Sequence, residues 1–199
     1  MCFAVLGAAA MVDVDRTNTN AINLLHDALS TFAFHKGDSA AWPWIEPRLT
    51  YANAVIPEAM MACGVALNDS TLVQRGVQLL EWLVERETLS DHLSVTPVGG
   101  RGPDDLSPRF DQQPIEVAAI ADAAIRAGDI TGDDAWDEVV HMAGNCFLVK
   151  HDSGMHMIDL ESGGGYDGLH LDGVNKNQGA ESTLAMLSTM QHRSAMWLV

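Results

Sequence analysis

The sequence predicts an all-α protein assembled from helical hairpins. Three observations predict it. Seven stretches carry apolar residues at helical spacing. Inner-type helices begin near Tyr51, Gln113 and Gln178, roughly 60 residues apart. In each unit a long polar or Gly-rich loop precedes the first helix and a short turn follows it. Short turns then gather at one end and long loops at the other. That is the pattern of hairpins ranged around an axis, with inner-helix N-termini converging on one face. The preferred architecture is part of an α/α toroid. Residues 1–199, taken as one domain, supply about three and a half hairpins, whereas a closed ring of six at this period needs roughly 370 residues. The chain is therefore expected to be an incomplete arc, a fragment of a larger chain. The plainer reading is an antiparallel helical array with decorated loops.

Each element follows from local pattern. Residues 2–12 form a compact apolar helix, too short to span a bilayer and without the basic flank of a secretory leader. After a polar turn, residues 18–35 resume helical spacing through Ile22, Leu25, Leu29 and Phe32. Residues 36–47 are a loop by their Gly and Pro content. Helix 51–67 follows, and Asn68 ends it. Asp69 and Ser70 turn into helix 70–87. Residues 88–110 are irregular. Helix 113–127 has Pro114 in its first turn and is apolar nearly all round, the mark of a buried helix. A turn at 128–133 leads to helix 133–149, and a second Gly-rich stretch, 151–177, leads to helix 178–191. Short hairpin strands are expected at 95–98 or 154–160.

Charge narrows the partners. Net charge is −16, from 27 acids against 11 bases. That argues against nucleic acid or an anionic membrane and suits a neutral or cationic ligand. Cys2, Cys63 and Cys146 are odd in number and lack C-x-x-C spacing. They read as small buried hydrophobes of a reducing, cytoplasmic compartment. No H-E-x-x-H, G-x-S-x-G, EF-hand or P-loop spacing occurs, so neither a metal nor a cofactor is expected.

Chemistry concentrates at three loop-to-helix corners. The organising one is Arg109-Phe110-Asp111-Gln112-Gln113-Pro114-Ile115-Glu116. It places a guanidinium, two carboxylates and two amides where free N–H groups and the positive end of a helix dipole point. Arg109 would steer Asp111 by a bidentate pair. The plainer reading is an ordinary N-cap with first-turn acids. The first corner, residues 42–53, holds Trp42, Trp44, Glu46 and Tyr51. Paired indoles beside a carboxylate make a sugar platform; equally, the Trp pair would plug the core. The third corner, residues 163–182, carries Tyr166, Asp167, His170, Asp172, Asn175, Asn177, Gln178 and Glu181 among glycines. Its plainer reading is an Asx-rich loop satisfying its own backbone.

Four motifs then carry a likeness: W-P-W-I-E-P-R-L-T-Y-A-N, S-V-T-P-V-G-G, R-F-D-Q-Q-P-I-E and D-G-L-H-L-D-G-V-N-K-N-Q-G-A-E-S-T-L-A. In this order, within residues 42–193, they resemble the six-hairpin glycosidase-like (α/α toroid) domains associated with bacterial glycosyltransferases. The resemblance implies a toroid of helical hairpins and a connection with carbohydrate. It carries across no catalytic pair. The chain departs from that group in its length and in having no nucleotide-sugar domain.

Two functions are expected to compete. One is a glycoside hydrolase with a carboxylate pair, Asp111 or Glu116 against Asp172 or Glu181. Trp42, Trp44, Tyr51 and Tyr166 would stack on sugar rings. Glu46, Arg109, Gln112, Gln113, Asp167, His170, Asn175, Asn177 and Gln178 would bind hydroxyls and orient carboxylates. The other is a non-catalytic domain that binds glycan or docks beside a glycosyltransferase. A plain helical scaffold is the third and weaker option. A sugar epimerase would want histidine acid–base partners.

Overall fold

The computed structural model describes residues 1–32, 41–105 and 110–195. The chain is mostly helical. The elements are α1 (Cys2–Val14), α2 (Thr19–Ala28), α3 (Val55–Leu67), α4 (Ser70–Glu87), α5 (Pro114–Thr131), α6 (Ala135–Cys146) and α7 (Ala180–Ala195). A 3-10 turn, Leu29–Phe32, extends α2. Residues 33–35 of the expected second helix lie outside the described residues. Caps follow sequence chemistry. Asp69 accepts the N–H groups of Thr71 and Leu72 at the start of α4, and Asn68 and Gly132 take left-handed C-cap conformations after α3 and α5.

The helices form two layers. α1, α3, α5 and α7 pack side by side in that order; α2 lies on α1 and α3, α4 on α3 and α5, and α6 on α5 and α7. α5 is the most enclosed, as its all-round apolar sequence requires, with Glu116 to Ala121 buried without a break. One apolar core runs through all seven helices and includes Leu25, Met60, Leu80, Ile120, Phe147 and Met186. Two glycines let α3 and α4 meet closely. A Cβ at Gly64 would stand 2.7 Å from Val73 Cγ2, and one at Gly76 would stand 2.9 Å from the Pro57 carbonyl oxygen.

The strands lie elsewhere than expected. β1 (Thr88–Leu89) pairs with β2 (His92–Leu93), and β3 (Gly168–His170) with β4 (Gly173–Asn175), both antiparallel. Residues 95–98 form no strand: Thr96 donates its N–H to the Glu87 carboxylate and Val98 to the Asp111 carbonyl. Residues 154–160 contribute one bridge, Ile158 to Gly165. Among the described residues, no helix is long and apolar enough to cross a membrane.

Candidate functional site

The second corner is tied to the first through Glu116. From the first turn of α5 its carboxylate accepts the Ala52 N–H at 2.5 Å, the Asn53 N–H at 3.1 Å and Asn53 Nδ2 at 3.0 Å. Asn53 Oδ1 in turn accepts the Thr50 N–H at 2.8 Å. These bonds fold residues 50–54 into a turn, so α3 starts at Val55 rather than at Tyr51. Ala52 is held at φ +47°, a conformation that costs a non-glycine about 1 kcal/mol, which the Glu116 bonds offset. Burial pushes the Glu116 carboxyl above its usual range, against the pull of the Asn53 and Ala52 N–H groups.

The third corner closes the triangle. The Tyr51 hydroxyl donates to Glu181 Oε2 at 2.9 Å. The phenol is pushed up to about 12, by burial first, then by the Glu181 bond and the Glu181 and Glu116 charges. His170 Nδ1 lies 2.6 Å from Asp111 Oδ1. Beneath that contact Gln112 and Leu169 exchange backbone hydrogen bonds, each of 2.9 Å, and the Asp111 carbonyl accepts the Val98 N–H at 2.9 Å. The three corners therefore meet. Each side of the triangle is a named contact between residues at least 57 positions apart.

Not every expected site residue faces outward. Trp44 is 3% exposed, its ring stacked on Trp82 at 5.9 Å, with Nε1 unpartnered among the described residues. Trp42 stands edge-on to Trp82 at 5.2 Å, its Nε1 donates to the Glu46 carbonyl, and the Arg86 guanidinium lies 4.7 Å over its ring. Trp44 fills the space beside α4 and offers no sugar platform, while Trp42 is half-buried between Trp82 and Arg86. Glu46 is exposed. Glu116 is corrected in the same sense: it is buried and both its oxygens are engaged, so it fixes the corner and is not a catalytic acid. Gln112 is 5% exposed and donates to Asp152 Oδ2 at 2.6 Å, which removes it from the hydroxyl binders.

The Gly-rich loop closes largely on itself. Asp167 accepts Asn177 Nδ2 and, at 2.7 Å, the Gly179 N–H, so α7 starts at Ala180 and not at Gln178. Gln178 donates to Asp159 and accepts from Ser162; Asn175 Oδ1 accepts the Asn177 N–H. Tyr166 is half-buried against the core. Asp172 is exposed in the turn between β3 and β4. Arg109, expected to steer Asp111, lies outside the described residues. Tyr51, Asp111, Asp172 and Glu181 remain exposed, and Gln113 and His170 are half-buried.

One residue that organises the corner was not singled out by sequence. Asp152 accepts from His92 Nε2 at 2.9 Å, Ser94 Oγ at 2.5 Å and Gln112 Nε2 at 2.6 Å. Burial pushes its carboxyl up, but the Ser94, His92 and Gln112 bonds outweigh it and hold the group below the usual carboxylate range. The donors come from positions 40 to 60 residues away, so no local spacing marks it. Among the described residues, no cluster of three or more His, Cys, Asp or Glu side chains is arranged to hold a metal. No protein-family profile matches the chain, and no curated protein is significantly similar to it.

Proposed function

We propose that this chain is a carbohydrate-active protein, an arc of an α/α toroid that works at the face where the three corners meet. The observation that carries the reading is that triangle: Tyr51 on Glu181, His170 on Asp111, and Glu116 on Ala52 and Asn53. The three loop-to-helix corners are tied together there through carboxylates, with Asp111 and Glu181 exposed, and hydroxyl-rich ligands are recognised by such groups. The preferred activity is glycoside hydrolysis. Asp111 and Glu181 form the pair. One protonates the leaving oxygen and the other takes a proton from the attacking water, which in an inverting enzyme needs a separation of about 6.5–9.5 Å. Asp172, Tyr51 and His170 bind hydroxyls around them, and Gln113 binds a polar group of the ligand beside Asp111.

The test is turnover of a panel of aryl glycosides of both anomers. Asp111→Asn and Glu181→Gln should each lower kcat/KM by about a thousandfold with an unchanged unfolding midpoint. Wild-type turnover in both variants would sink the assignment. A second reading, glycan binding without hydrolysis or docking beside a glycosyltransferase, is favoured by one observation. The Asp111 side chain is 48% exposed, an open setting for an acid–base group. Glycan binding that Asp111→Asn abolishes, with no turnover of any glycoside, would select it.

A further inference from the structure

A slot of about 20 Å³ is lined by both residues of the bridge between Gln112 and Leu169. Val95, Pro114, Val117, Phe147, Met157 and Leu169 form its apolar wall. Its two buried polar neighbours are committed elsewhere. Gln112 donates to Asp152, and His151 bonds the Met155 carbonyl through Nε2 and takes the Ser153 N–H on Nδ1. A water there would find few partners, so the slot suits an apolar group, and its size admits one methyl rather than a ring. Gln113 is the only lining residue that is not buried, so it is the one a ligand from solvent reaches first, and it stands two residues from Asp111. Among the described residues nothing hydrogen-bonds its side-chain amide. A mainly apolar hole of that volume with an uncommitted amide in its lining matches an acetamido group: the methyl fills the hole, and the amide offers one donor and one acceptor to the carboxamide.

We infer that the slot seats the acetamido methyl of a 2-acetamido-2-deoxy sugar, with the Gln113 amide paired to the acetamido N–H and C=O. The inference rests on the carbohydrate reading of the face above it and names the sugar class. It separates acetamido sugars from plain hexoses, which have nothing to fill the slot, and from 6-deoxy sugars, whose methyl brings no amide for Gln113.

Saturation-transfer NMR and calorimetry on the full chain would decide, using methyl glycosides of N-acetylglucosamine, N-acetylgalactosamine, glucose, galactose, 6-deoxyglucose and N-propionylglucosamine. An acetamido sugar should bind about tenfold tighter than its parent hexose, with its acetyl methyl the most strongly saturated group. The extra methylene of the N-propionyl sugar should cancel that advantage, and Val117→Phe, which fills the slot, should remove it. The ligand series keeps the test valid if Val117→Phe fails to fold. Hexoses binding as well as their acetamido counterparts, or 6-deoxyglucose binding better than both, would overturn the slot assignment and leave the carbohydrate face standing. Binding of none of these sugars would overturn both.

Discussion

Three glutamates stand in the first turns of α3, α5 and α7, and they have three different fates. Glu58 is buried and accepts Arg126 Nε at 3.2 Å and Nη2 at 3.1 Å. Glu116 is buried and accepts three N–H groups from the corner before α3. Glu181 is exposed and takes one hydroxyl, from Tyr51. The sequence position is nearly the same in each helix; what differs is the element opposite. Glu58 faces Arg126 on α5, Glu116 faces backbone donors, and Glu181 faces solvent beside Tyr51. A carboxylate enclosed by donors holds the fold, while one left with a free oxygen in solvent is available to a ligand.

Breaking Glu116 should have the largest effect. Glu116→Ala leaves the Ala52 and Asn53 donors without an acceptor and should cost about 3 kcal/mol in urea unfolding. Glu116→Gln should cost less, since one amide oxygen still accepts. A loss under about 0.5 kcal/mol for the alanine variant would show that the corner holds itself.

Glu87 sharpens the same contrast, because it is a buried carboxylate with too few donors. Thr96 bonds Oε1, and Oε2 has no partner among the described residues. Burial, then the Glu116 charge, pushes its pKa from 4.5 to about 8. Between those values the folded chain holds a proton that the unfolded chain has released, so this contribution is full below pH 4.5 and lost as pH rises toward 8. Melting temperature should therefore fall across that window through this group. Glu87→Gln should flatten the fall and be the more stable protein at pH 9; an unchanged slope would show that Glu87 is ionised when folded.

Glu58→Ala should cost about 1 kcal/mol, because Arg126 is 38% exposed and can turn to water. Glu181→Gln should be smallest for stability, within about 0.5 kcal/mol, as the bond it loses is exposed. Its signature is spectroscopic: the Tyr51 phenol, at about 12 beside the Glu181 charge, should titrate lower in an ultraviolet pH titration of the variant. An unmoved titration would mean that burial and the Glu116 charge set it.

Much of this was legible in the residues. The buried character of α5 followed from its unbroken apolar run, the ends of α3 and α4 from Asn68 and Asp69, and the recurrence of polar corners from the loop spacing. The Trp pair was not decidable. A W-x-W beside a glutamate reads alike whether or not another aromatic waits across the gap, and Trp82, on α4, was that aromatic. Asp152 and the 2.6 Å approach of His170 to Asp111 were illegible for a related reason: their partners are distant in sequence.

The sequence by itself determined where helices run and stop, because apolar period, proline, capping residues and left-handed asparagine or glycine act within a few positions of themselves. It also placed acids in the first turns of α3, α5 and α7. Only the tertiary structure decided which of those acids meets backbone donors, which meets a guanidinium and which meets solvent. The free energy of a carboxylate is set by the groups within a few ångströms of it, and here those come from other repeats of the chain.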